Sequence, residues 1–67
     1  MTEVDREPIL QFFNFEHLPP HLQEVSTPFH TLAFRIASSL PRNAERTVAL
    51  RALLESKDAA VRAAIFA

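Results

Sequence analysis

Residues 18–43 are LPPHLQEVSTPFHTLAFRIASSLPRN, and this stretch decides the fold. Its apolar side chains recur at steps of three and four residues, the spacing of one face of an α-helix. This stripe consists of Leu18, Leu22, Val25, Phe29, Leu32, Ile36 and Leu40, with Ala33 and Ala37 beside it. Pro20 suits a first helical turn, where its missing N–H breaks no helical hydrogen bond. The stretch predicts a first long helix over residues 18–40.

Pro28 falls inside this predicted helix. The apolar stripe keeps its phase across Pro28, which favours one helix kinked at that point. The alternative is a break, in which Ser26 or Thr27 caps a new helix that begins with Pro28.

Pro41, Arg42 and Asn43 predict a turn, after which a second helix is expected over residues 43–65. Asn43 is a favourable N-cap, and Glu45 complements the positive helix end. Alanine, leucine, glutamate and arginine, all strong helix formers, dominate this second helix. The expected apolar stripe is Leu50, Leu53, Leu54, Val61, Ala64 and Ile65. The alanines expected to let another helix approach are Ala49, Ala52, Ala59, Ala60, Ala63 and Ala64. The short connection makes the two helices antiparallel neighbours.

Residues 1–17 form a predicted N-terminal arm with the aromatic stretch ILQFFNF at 9–15. Pro8 suits the first turn of a short helix, and an extended arm is the alternative. A segment this apolar is expected to lie on the hairpin or on a neighbouring subunit.

Together with these patterns, the composition predicts an all-α fold, an antiparallel helical hairpin. Residues 1–67 are expected to form a single domain, which assembles as a homo-oligomer. The chain has 67 residues, 48% of them hydrophobic, with no cysteine and no glycine. So short a chain has little interior of its own, and disulfides are excluded. The absence of glycine disfavours β-hairpins and glycine-rich phosphate loops. A monomer with an apolar surface is the competing interpretation.

Charge and hydropathy exclude several classes of partner. The net charge of −1 argues against long nucleic acid, which needs clustered lysine and arginine. No apolar run approaches the length of a membrane span. The start MTEVDREP lacks the basic and apolar regions of a signal peptide. We therefore expect a cytoplasmic location and no membrane partner.

No catalytic or metal centre is predicted, and no cofactor. His17 and His21 have a four-residue spacing, but Pro19 and Pro20 separate them and no HExxH motif exists. Surface or capping roles suit these histidines and His30 better. The serines and threonines lie in no nucleophile elbow, and the carboxylates of the second helix are typical of a solvated face.

Phe15 is the candidate for ligand binding, since it lies where the arm meets the first helix, beside His17. Aromatic faces stack on nucleobases, and a nearby hydrogen-bonding or cationic side chain can hold a phosphate. His30 and Arg46 are the candidate phosphate partners. The alternative is that Phe15, with Phe12 and Phe13, only fills the core.

Two stretches resemble a known family. The first is FEHLP at 15–19, continuing through LQEVS at 22–26 to LA at 32–33. The second is LPRNAERTVALRALLE at 40–55, followed by AVRAAI at 60–65. They resemble the phage cyclic-nucleotide sponges, which antagonise the bacterial CBASS and Thoeris defences.

The resemblance implies a homohexamer of small helical hairpins that sequesters cyclic dinucleotides, cyclic trinucleotides or cyclic ADP-ribose isomers without cleaving them. Phe15 matches the position of a base-stacking aromatic residue that is usually tyrosine. His30 stands where relatives carry a phosphate-binding lysine or arginine, and Arg62 matches an arginine of a separate trinucleotide pocket. The complete predicted set of ligand-binding residues is Phe15, His17, Ser26, His30, Arg46 and Arg62.

An alternative function is a protein–protein interaction module. In this interpretation the oligomer binds a host protein through its aromatic arm, which acts as an anchor.

Overall fold

The computed structural model describes residues 7–66 and shows an all-helical fold without strands in that range. A 3-10 helix spans Pro8–Phe13, followed by helix α1 (Pro20–Ser39) and helix α2 (Ala44–Ile65). The two long helices pack as a hairpin, as predicted. The first six residues of the predicted arm lie outside the described residues. No helix in residues 7–66 is both long and apolar enough to cross a membrane.

Local chemistry explains the ends of both helices. Pro20 stands in the first turn of α1, two residues later than the predicted start. Asn43 caps α2, its side-chain oxygen accepting a hydrogen bond from the Arg46 backbone N–H at 2.9 Å. α1 continues through Pro28 without a break. The alternative of a fresh helix beginning at Pro28 is therefore wrong.

The core lies where the 3-10 helix, α1 and α2 meet. Its buried members are Leu10, Phe13, Ala33, Ala37, Leu50 and Leu54. Two of the four residues from the long helices are alanines of α1, so α1 offers small side chains against the leucines of α2. The molecule is only 16 Å across its thinnest axis. The interior is consequently a single layer of side chains.

The residues of α1 that are buried lie on a face rotated around the helix axis from the predicted stripe. Leu32 and Leu40 were expected inside, yet each leaves nearly half of its surface exposed. Ser26, Ala33 and Ala37 are buried instead. On α2, Ile65 is exposed, and the alanines expected to allow close approach are exposed or half-buried. The close approach comes from the alanines of α1, because they lie on its inner face.

The described 3-10 helix of the predicted arm, Pro8–Phe13, lies on its own hairpin. This helix begins at Pro8, which confirms the expected role of that proline. Leu10 and Phe13 are buried against α1 and α2, whereas Phe12 points outward and is 56% exposed. The extended arm is therefore the wrong alternative for residues 8–13.

Two cations of α2 hold the arm in place. Arg46 is 2% exposed, and its guanidinium donates to the carbonyl oxygens of Ala37 at 2.9 Å and Leu40 at 3.2 Å. It also donates to the carboxylate of Glu7. Lys57 is 8% exposed, and its ammonium donates to the Phe12 carbonyl oxygen at 2.9 Å. The terminal nitrogens of both side chains thus reach hydrogen-bond acceptors, which offsets part of the cost of burying their charge.

Candidate ligand-binding site

Three rings meet at the junction between the arm and α1, and we call Phe15, His30 and Phe34 the aromatic cluster. The ring centroids of Phe15 and His30 are 5.1 Å apart at an interplanar angle of 86°, an edge-to-face contact. Those of His30 and Phe34 are 4.5 Å apart at 34°. Aromatic pairs favour such separations. All three side chains are half-buried, so the cluster reaches the surface of this chain.

Backbone hydrogen bonds fix the position of Phe15. The Leu18 N–H donates to the Phe15 carbonyl oxygen at 3.0 Å, closing a turn directly after the ring. Gln23 of α1 donates through Nε2 to the Leu18 carbonyl oxygen at 2.8 Å and ties that turn to the helix. Phe15 is therefore held against α1 by the turn as well as by its ring contact.

The imidazole of His30 has open hydrogen-bonding capacity. Neither ring nitrogen bonds to any residue in the range 7–66, and neither is sealed from solvent. No carboxylate in that range forms an ion pair with it. A neutral imidazole offers one donor and one acceptor, and a protonated one offers two donors. His30 can therefore hydrogen-bond an incoming group without first giving up a protein partner.

Ser26 lies four residues, or about one helical turn, before His30 on the same face of α1. It is fully buried, and its hydroxyl oxygen has no hydrogen-bond partner among the described residues. Buried hydroxyls are normally bonded, so an open one marks a site that costs stability. The two open polar side chains of α1 thus occupy consecutive turns.

The other predicted residues are placed differently. His17 is exposed in the turn that follows Phe15, and Arg62 is exposed in the last turn of α2. Within residues 7–66, neither side chain forms a hydrogen bond, ion pair or ring contact with the aromatic cluster. Of the predicted set it brings Phe15 and His30 into direct contact, with Ser26 one turn away.

Arg46 lies inside the fold. Its guanidinium bonds to Glu7 and to two carbonyl oxygens at the end of α1, so it acts as the connection between the arm and the turn. Those hydrogen bonds engage both terminal nitrogens, Nη1 and Nη2, and the side chain is buried at the turn. Arg42 also approaches Glu7, its Nε 3.9 Å from the carboxylate, but its side chain is half exposed.

The sequence interpretation missed Phe34 and Lys57. Phe34 follows His30 by four residues, the spacing that stacks two side chains on one helix face, and this spacing could have identified it. Lys57 gave no such signal, because its partner is a backbone oxygen 45 residues away. The interpretation of the arm phenylalanines as core holds for Phe13, whereas Phe12 is exposed and Phe15 half-buried.

The structure shows no metal-binding group within residues 7–66: no three histidine or acidic side chains converge there. His17 and His21 are both exposed. The candidate site is accordingly aromatic and polar.

Comparisons with protein-family models, with curated proteins and with solved structures found no match to this chain.

Proposed function

We propose that this protein is a non-catalytic sponge for cyclic nucleotide immune signals. In the proposal a homo-oligomer binds cyclic dinucleotides, cyclic trinucleotides or cyclic ADP-ribose isomers and withholds them from their receptors. Such a phage protein would act in the cytoplasm of the host bacterium and block CBASS or Thoeris signalling. The observation that carries the proposal is the half-buried Phe15 ring beside an imidazole with no protein hydrogen-bond partner in residues 7–66.

The pairing of Phe15 with His30 suits a nucleotide for chemical reasons. A phenyl ring offers a face on which any base stacks, worth about 1–3 kcal/mol per base. The imidazole beside it can donate a hydrogen bond to a phosphate oxygen. The resemblance of residues 15–33 and 40–65 to the sponge family assigns the same two positions to base and phosphate contacts.

Exposed apolar side chains support self-association. Phe12, Leu32, Leu40, Val48, Ile65 and Phe66 are the exposed large hydrophobic residues of the described range. A single layer of core side chains leaves this area uncovered, and burial against copies of the chain would remove it from water. The sponge family supplies the expected subunit number, which is six. Symmetry would then give each oligomer several copies of every pocket.

Calorimetric titration against a panel of cyclic dinucleotides, cyclic trinucleotides and cyclic ADP-ribose isomers tests the proposal. Phe15→Ala is expected to weaken binding by about 1–3 kcal/mol, because the stacking face is lost. Phe12→Ala is the matched control, since it removes an exposed phenyl ring from the same arm outside the cluster. Light scattering on each sample gives the subunit number.

Two results would contradict the proposal. One is the absence of binding by every member of the panel at micromolar concentration. The other is equal affinity for wild type and a folded Phe15→Ala variant, which would remove Phe15 from the site.

The exposed ring of Phe12 favours a second candidate function, an oligomeric module that binds a host protein through the arm. Exposed aromatic side chains are common anchors in protein interfaces. This function predicts no nucleotide affinity and capture of one defined host protein, which Phe12→Ala would abolish and Phe15→Ala would leave intact.

A further inference from the structure

We propose that ligand capture by this protein is coupled to the uptake of a proton at His30. The affinity of the site for anionic ligands therefore increases as the pH falls. The inference rests on the proposed function, because it concerns the phosphate contact of the same site. It adds a property that stacking on Phe15 alone would not produce.

Two cations of α2 that contact the arm already form hydrogen bonds within residues 7–66. The guanidinium of Arg46 bonds to Glu7 and to the carbonyl oxygens of Ala37 and Leu40. The ammonium of Lys57, which contacts the arm three residues before Phe15, bonds to the Phe12 carbonyl oxygen. Within residues 7–66, His30 is therefore the member of the aromatic cluster that can supply a positive charge to a bound anion.

Within residues 7–66, the groups around His30 do not neutralise a positive charge on its imidazole, so the ligand has to do so. Its two ring contacts, Phe15 and Phe34, are uncharged. The turn that holds Phe15 carries Glu16 and His17, both exposed, and neither forms an ion pair with His30. A phosphate within hydrogen-bond distance would favour the imidazolium directly, because an opposite charge nearby stabilises the charged form.

The charged residues of the helices do not replace the ligand. On α1, Glu24 and Arg35 lie more than about 100° around the helix from His30, at about 100° per residue. On α2, Asp58 and Arg62 are exposed, and neither pairs with His30. Protonation of His30 is thus balanced by no protein carboxylate in residues 7–66, and the bound anion provides the balance.

The geometry of the aromatic cluster can accommodate a charged imidazole. A cation near an aromatic face is attracted by the negative face of the ring. Phe15 and Phe34 both lie within contact distance of the imidazole, at 5.1 and 4.5 Å between centroids. The cluster can therefore accept the charged form of His30 once the ligand is present.

The pH dependence of binding has a defined sign. A histidine ordinarily carries its charge below about pH 6.5. If the bound state needs the imidazolium, the affinity rises as the pH falls through the ordinary histidine range, and on the alkaline side of that range the dissociation constant increases about tenfold for each pH unit.

The experiment uses the full chain with cyclic di-AMP, cyclic di-GMP and cyclic tri-AMP as probes. For the probes that bind, the dissociation constant is measured from about pH 5.5 to about pH 8.5, spanning the ordinary range of histidine. At one intermediate pH the heat is measured in two phosphate-free buffers of unequal ionisation enthalpy. Proton uptake is expected to make the observed heat differ between the buffers.

Three variants separate His30 from the other histidines. His30→Gln is expected to bind more weakly at low pH and to lose the pH dependence. His30→Lys is expected to restore affinity and keep it constant over this range, since lysine stays charged. His17→Gln, an exposed change next to the cluster, should leave the dependence as in wild type. A purely structural role for His30 would not produce the difference in heat between buffers.

The outcomes distinguish this inference from the proposed function. Binding with a constant affinity and the same heat in both buffers overturns the proton coupling and leaves the sponge intact. Loss of the coupling in His17→Gln but not in His30→Gln also overturns it. If neither these probes nor the cyclic ADP-ribose isomers of the wider panel bind at any pH, the proposed function fails and the coupling falls with it.

Discussion

The turn end of the hairpin and the aromatic cluster differ in how many hydrogen bonds their polar side chains form. At the turn, the guanidinium of Arg46 is buried and bonded to an acid and two carbonyl oxygens. At the cluster, His30 has no hydrogen-bond partner in residues 7–66, and the hydroxyl of Ser26 is buried without one. Satisfied buried groups stabilise a fold, whereas open ones lower its stability and remain available to a ligand. Under the proposed function, this difference separates the part of the molecule that holds the structure from the part that would bind a ligand.

The largest effect on stability is expected from Arg46→Met, which removes the hydrogen-bonded guanidinium at the turn end. The change leaves Glu7 and two carbonyl oxygens without the guanidinium, and loss of one partner of a buried ion pair costs about 3–5 kcal/mol. Urea unfolding at fixed protein concentration measures the loss. Arg51→Met, an exposed change on the same helix, is the matched control and should have little effect. Equal losses in the two variants would show that Arg46 does not hold the arm.

A smaller loss is expected from Lys57→Met. Methionine keeps much of the apolar stem but cannot donate to the Phe12 carbonyl oxygen, and a hydrogen bond to a charged group contributes about 1.5–3 kcal/mol. Urea unfolding gives the magnitude, and amide exchange of residues 10–13 shows where it acts. Faster exchange throughout α2 and not in the arm would contradict the role of Lys57 as an arm contact.

The smallest effect, of opposite sign, is expected from Ser26→Ala. The change removes a buried hydroxyl that has no partner in the described range, so the free energy of unfolding should stay constant or rise by about 1 kcal/mol. Thermal unfolding measures it, and Ser38→Ala, an exposed change on the same helix, is the control. A clear loss of stability in Ser26→Ala would mean that the hydroxyl is bonded in solution, which would weaken the contrast between the two regions.

The features that the sequence predicted correctly depend on neighbouring residues. Pro20 and Asn43 begin the two helices through chemistry contained within one turn, and Pro8 does the same for the 3-10 helix. The hairpin results from two amphipathic helices and a short connection. The contact between Phe15 and His30 was also within reach, because the arm is joined to α1 by only a few residues.

The features that the sequence did not predict depend on distant partners. The bond between Arg46 and Glu7 spans 39 residues, and nothing near Arg46 distinguishes it from an arginine on a solvated face. The rotation of the buried face of α1 towards Ser26 and Ala33 has a different cause. Helical periodicity defines the width of an apolar stripe, and contact with the arm and α2 then selects which of its rows becomes buried.

Pro28 gives the part of α1 around Ser26 and His30 a mechanical property that the turn end of the hairpin lacks. It stands within α1 between Ser26 and His30, and it has no N–H to donate to the carbonyl oxygen four residues earlier. The backbone of α1 therefore lacks one helical hydrogen bond at the level of the candidate site. Bending at this point breaks one hydrogen bond fewer than bending elsewhere in the helix. Under the proposed function, this is the point at which α1 would bend to fit ligands of different ring size.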